Sequence, residues 1–170
     1  SILCMKKIVR YFSLFVINHF LCGTHFWSIK RFLLKISDIL VGNNVKIVGP
    51  IYMKSCSDLE IGDNTWIGEK LVIAGNDKVV IGKNCDISSN VTFATGTHYI
   101  SSSKRRAGQG YCKRIIIGDG CWIGINSTIL SGVKIDSGVI VGACSCVNKS
   151  IDENILVGGI PAKKIRDLEE

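Results

Sequence analysis

Counted from Ile61, large apolar residues return every six positions. Ile61, Ile67 and Ile73 form one run, and Ile81, Ile87 and Phe93 follow after a two-residue slip. Ile117, Ile123, Ile129, Ile135, Val141 and Val147 follow after a longer break. All twelve positions are large and apolar. Glycine often comes next, as at Gly62, Gly68, Gly82, Gly118, Gly124 and Gly142. Four residues past most anchors the side chain is small or modest: Thr65, Cys85, Val91, Cys121, Ser127, Val133, Val139 and Ser145. A period of six fits neither a 3.6-residue helix nor an alternating strand. It fits a solenoid coil with three short flat faces, each one hexapeptide long. The anchor and the small residue point into a narrow prism, while Gly, Asn and Asp serve corners that need positive φ. The pattern predicts an all-β, left-handed parallel β-helix with coils about 4.8 Å apart. An ordinary β-sandwich would not keep this register through so many units.

Three hexapeptides make one coil, so Ile61, Ile81, Ile117 and Ile135 are expected to stack on one face. Ile67, Ile87, Ile123 and Val141 fall on the second, and Ile73, Phe93, Ile129 and Val147 on the third. Val41 and Ile47 indicate an earlier, less regular coil. The register also locates two insertions, at 75–78 and at about 98–114, both leaving the third face and one coil apart. A long excursion on a rigid scaffold is usually functional. This one carries Lys104, Arg105, Arg106 and Gln109, with His98 at its root. His98 is either a surface histidine at a corner or a general base, since imidazole titrates near neutrality and can take a hydroxyl proton.

Residues 1–40 differ from the repeat and divide the chain into a basic helical arm (1–40), the β-helix (41–160) and a basic tail (161–170). Helices are expected over 5–21 and 26–36, on either side of Gly23-Thr24. Of the net charge of +7 over 170 residues, +5 lies in the arm. Its Lys6, Lys7, Arg10, Lys30, Arg31 and Lys35 mix with Phe12, Phe15, Phe20, Phe26, Trp27 and Phe32. Such a stretch either lies on an anionic membrane surface or caps the open end of the solenoid. The apolar run 8–20 is too short and polar to predict a membrane span, and no secretory leader is expected. No motif points to nucleic acid. The eight cysteines form no CxxC pair and no cluster with metal spacing, so they read as reduced structural thiols of a cytoplasmic protein.

Three stretches carry a resemblance: Asn90-Val-Thr-Phe-Ala-Thr-Gly-Thr-His98, Ile117-Gly-Asp-Gly-Cys-Trp-Ile-Gly124 and Val157-Gly-Gly-Ile-Pro-Ala-Lys-Lys-Ile-Arg166. Residues 61–166 resemble the hexapeptide-repeat acyltransferases, especially maltose and galactoside O-acetyltransferases and bacterial capsular or lipopolysaccharide O-acetyltransferases. The resemblance implies acetyl-CoA as donor, no metal, His98 as catalytic base, and active sites between the subunits of a homotrimer. It implies that 142–149 lines the CoA channel, with Gly142, Ala143, Asn148 and Lys149. Lys163 and Arg166 would approach the CoA phosphates. The family's acidic acceptor-binding residue is matched here by Asn76, with Asp77 beside it. A serine found after Trp-Ile-Gly in some relatives is Ile125 here.

The expected mechanism is direct transfer. His98 takes the proton of an acceptor hydroxyl, the oxygen attacks the thioester, and CoA leaves as the thiol. The backbone N–H of Gly124 or Ile125 is the expected oxyanion donor. Trp122 is expected either against the pantetheine, at a subunit contact or as a core-edge residue. Glu69 and Asp86 either orient the imidazole or acceptor, or are solvated corner residues. Lys149, Lys163, Lys164 and Arg166 supply cations for phosphates. A γ-class carbonic anhydrase needs three histidines, and the repeat has only His98. Open alternatives are an N-acetyltransferase of an amino sugar nucleotide, an antibiotic acetyltransferase and a non-catalytic scaffold.

Overall fold

A computed structural model of the chain describes residues 2–54 and 56–169 in backbone and, from residue 5 onward, in side chain. The Cys4 thiol, one of the eight expected to be reduced, lies outside the described side chains. The repeat folds as a parallel β-helix of about six turns. Its strands are short because each face offers only a hexapeptide before the chain must turn. The first sheet stacks Leu40–Val41, Asp58–Ile61, Lys78–Ile81, Ile115–Ile117 and Lys134–Ile135. The second runs from Lys46–Ile47 through Trp66–Ile67, Asp86–Ile87, Trp122–Ile123 and Ile140–Val141 to Ile155–Gly158. The third stacks Ile51–Met53, Leu71–Ala74, Thr92–Ala94, Thr128–Leu130 and Cys146–Val147.

The expected stacks form in register. Ile61, Ile81, Ile117 and Ile135 pair in turn, as do Ile67, Ile87, Ile123 and Val141, and Ile73, Phe93, Ile129 and Val147. All twelve anchors are buried. The small inward residues do more than save space. Thr65 Oγ1 donates to the Gly82 carbonyl, Cys85 Sγ to that of Gly118, and Cys121 Sγ to that of Asp136. Each satisfies a part-buried corner carbonyl of the coil above. At the corner between the first and second sheets, Asn44, Asn64, Asn84, Gly120, Gly138 and Asn154 all adopt positive φ. Asn tolerates this region better than other side-chain-bearing residues, and Gly needs no tolerance at all.

Two helices close the lower end: α1 (Ile2–Phe20) and α2 (Trp27–Ile36). They match the expected pair within three residues at each boundary. Leu14, Ile17 and Leu34 enter the core cluster. Polar groups of the helices satisfy the edge of the lowest coil. Asn18 Nδ2 donates to the Ile51 carbonyl at 2.7 Å, and its Oδ1 accepts the Ile51 N–H at 2.8 Å, as a neighbouring strand would do. Arg31 donates to the Val45 carbonyl and Lys30 to those of Val48 and Gly23. Capping is therefore a role of this segment. Lys30, one of the arm's six basic residues, is buried at 1% exposure, with its ammonium 4.4 Å from the Trp27 ring centroid. Removal from water holds its pKa below the ordinary value. At the other end, Lys163–Asp167 is no free tail. It pairs antiparallel with Ile155–Gly158 and extends the second sheet.

Candidate active site

The excursion expected as a loop over 98–114 is an ordered antiparallel hairpin of Gly96–Ile100 and Ala107–Cys112. It starts where the third sheet ends at Ala94. Thr95, buried at this exit, ties the two insertions together. Its Oγ1 donates to the Ala74 carbonyl and accepts the Asp77 N–H, and its carbonyl accepts from Lys113 N–H and Ser131 Oγ. Thr95 drew no attention in the sequence because a threonine before a loop has no signature. On the hairpin, His98 faces Gly110 across the register. Its Nδ1 lies 2.8 Å from the Gly108 carbonyl oxygen. A carbonyl only accepts, so Nδ1 carries a proton, and in the neutral ring the lone pair falls on Nε2. Lys104, Arg105, Arg106 and Gln109 lie exposed on the hairpin and its tip.

His98 lines an open cleft of about 380 Å³ with Asn76, Gly96, Thr97, Gly110, Tyr111 and Cys112. Asn76 is held from two sides. Cys56 Sγ donates to its Oδ1 at 2.9 Å, and its own N–H donates to Cys112 Sγ at 3.4 Å. The Asn76 NH₂ has no hydrogen-bond partner among the described residues. Asp77 does not line the cleft. Its Oδ1 accepts the Lys78 N–H at 2.7 Å, so the carboxylate serves the turn. Asn148 and Lys149 follow the last strand of the third sheet, at the same edge as His98 and further up the prism.

The remaining candidates lie elsewhere. Glu69, Ser89, Ile125 and Ala143 stack along the corner between the second and third sheets, linked by Glu69 N–H to Ser89 Oγ and Cys144 N–H to the Ile125 carbonyl. Beside them, Trp66, Asp86, Trp122 and Ile125 line a groove of about 650 Å³. Trp122 is 54% exposed, and its Nε1 donates to Ser88 Oγ. Glu69 and Asp86 are thus absent from the lining of the His98 cleft within one chain. The Gly124 N–H is committed to the Val141 carbonyl at 2.8 Å, and the Gly142 N–H to that of Val157. Gly124 is consequently no oxyanion donor. The Ile125 N–H has no hydrogen-bond partner among the described residues. Lys163 and Arg166 stand exposed on the last strand, while Lys164 pairs with Asp167. The candidates therefore divide between two edges of one prism.

The Trp-Ile-Gly coil and its neighbours, residues 114–149, match the bacterial transferase hexapeptide (six repeats) family. The chain is 33% identical over 141 residues to the galactoside O-acetyltransferase of Escherichia coli (strain K12), covering 83% of this chain and 70% of that protein. It is 30% identical over 141 residues to an Escherichia coli protein assigned to colanic acid biosynthesis as an acetyltransferase, covering 83% and 76%. Among solved structures, a galactoside acetyltransferase in complex with coenzyme A superposes with a TM-score of 0.82 at 29% identity, covering 98% of this chain and 82% of that one. A hexapeptide-repeat acetyltransferase of Vibrio cholerae complexed with acetyl-CoA gives 0.81 at 25% identity, covering 98% and 88%. With a shared repeat, a shared fold and relatives at this identity and coverage, the chain belongs to the hexapeptide-repeat acyltransferases and is an acetyltransferase.

Proposed function

We propose that the protein transfers acetyl from acetyl-CoA to a hydroxyl of a sugar, as an O-acetyltransferase of surface polysaccharide biosynthesis. The observation that carries this reading is the His98 imidazole in the cleft lining, whose Nδ1 lies 2.8 Å from the Gly108 carbonyl oxygen, which in the neutral ring puts the lone pair on Nε2. Nε2 takes the acceptor proton as the hydroxyl oxygen attacks the thioester carbonyl, and the thiol of CoA leaves with a proton. A positioned base of this kind contributes about 10²–10⁴-fold. The galactoside and colanic acid relatives support a carbohydrate acceptor.

The division of candidates between two edges supports a homotrimer. One copy would bring its third-to-first edge, with His98, Asn76, Asn148 and Lys149, against the second-to-third edge of the next. That second edge carries Glu69, Ile125, Gly142 and Ala143, with Trp122 beside it. A three-sided prism packs in this way under cyclic symmetry. The chain's residues suit the donor. The exposed Trp122 offers an apolar face for the pantetheine arm, and Lys149, Lys163 and Arg166 offer charge for its phosphates. The Ile125 N–H is the amide available to an oxyanion. Asn76 contacts the acceptor. A cytoplasmic setting accords with the seven described cysteines being free thiols.

The experiment is thiol release from acetyl-CoA against panels of sugars, nucleotide sugars, amino sugars and antibiotics, with wild type and His98→Ala in parallel. Release dependent on a sugar hydroxyl and lost in His98→Ala supports the reading. Equal turnover by His98→Ala, or turnover only with amines, refutes it.

A further inference from the structure

The cap is apolar on its outer side as well as its inner one. On α1, Met5, Ile8, Phe12 and Phe15 recur at spacings of three and four, on the side away from the buried Leu14 and Ile17. On α2, Ile29, Phe32 and Ile36 do the same, away from the buried Lys30 and Leu34. Phe12 is 64% exposed and Phe32 62%. Tyr11 and Phe15 also form one wall of an apolar groove of about 510 Å³ against Tyr52, Val72 and Ala74 of the third sheet. Apolar surface this continuous marks a site of contact.

Charge selects the partner. Residues 1–37 hold six basic side chains and no acidic one. Lys30 and Arg31 hydrogen-bond to carbonyl oxygens, which are neutral, and Lys6 pairs with Asp38. Lys7 and Lys35 are exposed and form no ion pair among the described residues. A second copy seated on this face would set like charges together, whereas anionic headgroups above an acyl layer match both its sign and its aromatic character. Among the described residues, no helix is long and apolar enough to cross a membrane. We propose that the outer face of α1 and α2 docks on an anionic lipid surface, with Phe12 and Phe32 entering the acyl boundary and Lys7 and Lys35 at the headgroups.

The test is flotation of the full chain with vesicles of phosphatidylcholine alone and of phosphatidylcholine mixed equally with phosphatidylglycerol. Wild type is expected to float with the anionic vesicles. Phe12→Ser combined with Phe32→Ser, and Lys7→Glu combined with Lys35→Glu, should each lower binding about tenfold or more. Circular dichroism, molecular mass and thiol release should match wild type. Failure of wild type to float with anionic vesicles overturns the proposal, as does equal flotation of the variants. A change of molecular mass in the phenylalanine variant overturns it too, because a second copy would then be the occupant. None of these readouts depends on the acceptor assignment.

Discussion

His98 Nδ1 sits 2.8 Å from the carbonyl oxygen of Gly108, ten residues further along the same hairpin. This one contact selects the tautomer and fixes the ring plane. In the proposed mechanism it makes the hairpin part of the catalytic apparatus and more than a cover. Removing the ring should therefore remove the base without touching the prism. His98→Ala is expected to lower acetyl transfer about 10²–10⁴-fold, measured by thiol release, with an unchanged circular dichroism spectrum.

Asn76 presents its NH₂ because Cys56 occupies its Oδ1. Asn76→Asp exchanges that donor for a charged acceptor at the same volume. The KM for the sugar acceptor should rise about tenfold while the KM for acetyl-CoA stays within about twofold. A parallel rise in both would mean that Asn76 acts on the fold of the turn.

Phe93 and Trp122 are both large aromatics of the repeat, but Phe93 is fully buried and Trp122 is half exposed. Phe93→Ala should cost about 3–5 kcal/mol in denaturant unfolding, because it leaves a cavity in a narrow core. Trp122→Ala should cost less than about 1 kcal/mol and act instead on the KM for acetyl-CoA.

Gly124 and Gly120 separate two reasons for glycine. A Cβ on Gly124 would lie 2.5 Å from the Ala143 amide nitrogen, which is backbone of the next coil and cannot turn aside. Gly124→Ala is expected to destabilise by about 1–3 kcal/mol, read as a lower melting temperature. Gly120 has φ +65 and open space around its missing Cβ. Gly120→Asn copies what the same corner already holds at Asn64 and Asn84 and should change stability by about 0.5 kcal/mol or less.

Burial lowers the pKa of Lys30, so above that lowered value the native chain binds fewer protons than the unfolded one. Stability then rises with pH between the lowered value and the ordinary 10.5, and the gain is lost as pH falls through the folded value. Lys30→Met removes this slope. Unfolding measured at several pH values from 8 upward, wild type minus variant, should show a difference that grows with pH. A flat difference would mean that Lys30 titrates normally.

The sequence by itself determined the prism, its three stacks, the edge from which both insertions leave, the two helices of the arm and the lone imidazole at the root of the long excursion. These follow from local rules: a six-residue period admits one kind of coil, and counting within it assigns every face. Only the tertiary structure decided which groups are spent and which are free. The Gly124 N–H is consumed by Val141 of the coil above, Asp77 by its own turn, and Lys30 by carbonyls of the cap. His98 is oriented by Gly108, and Glu69 and Asp86 fall outside its cleft. Hydrogen-bond partners often lie one coil away in space but fifteen to thirty-seven residues away in sequence, so a periodicity that names the face of a residue is silent about what its polar atoms touch.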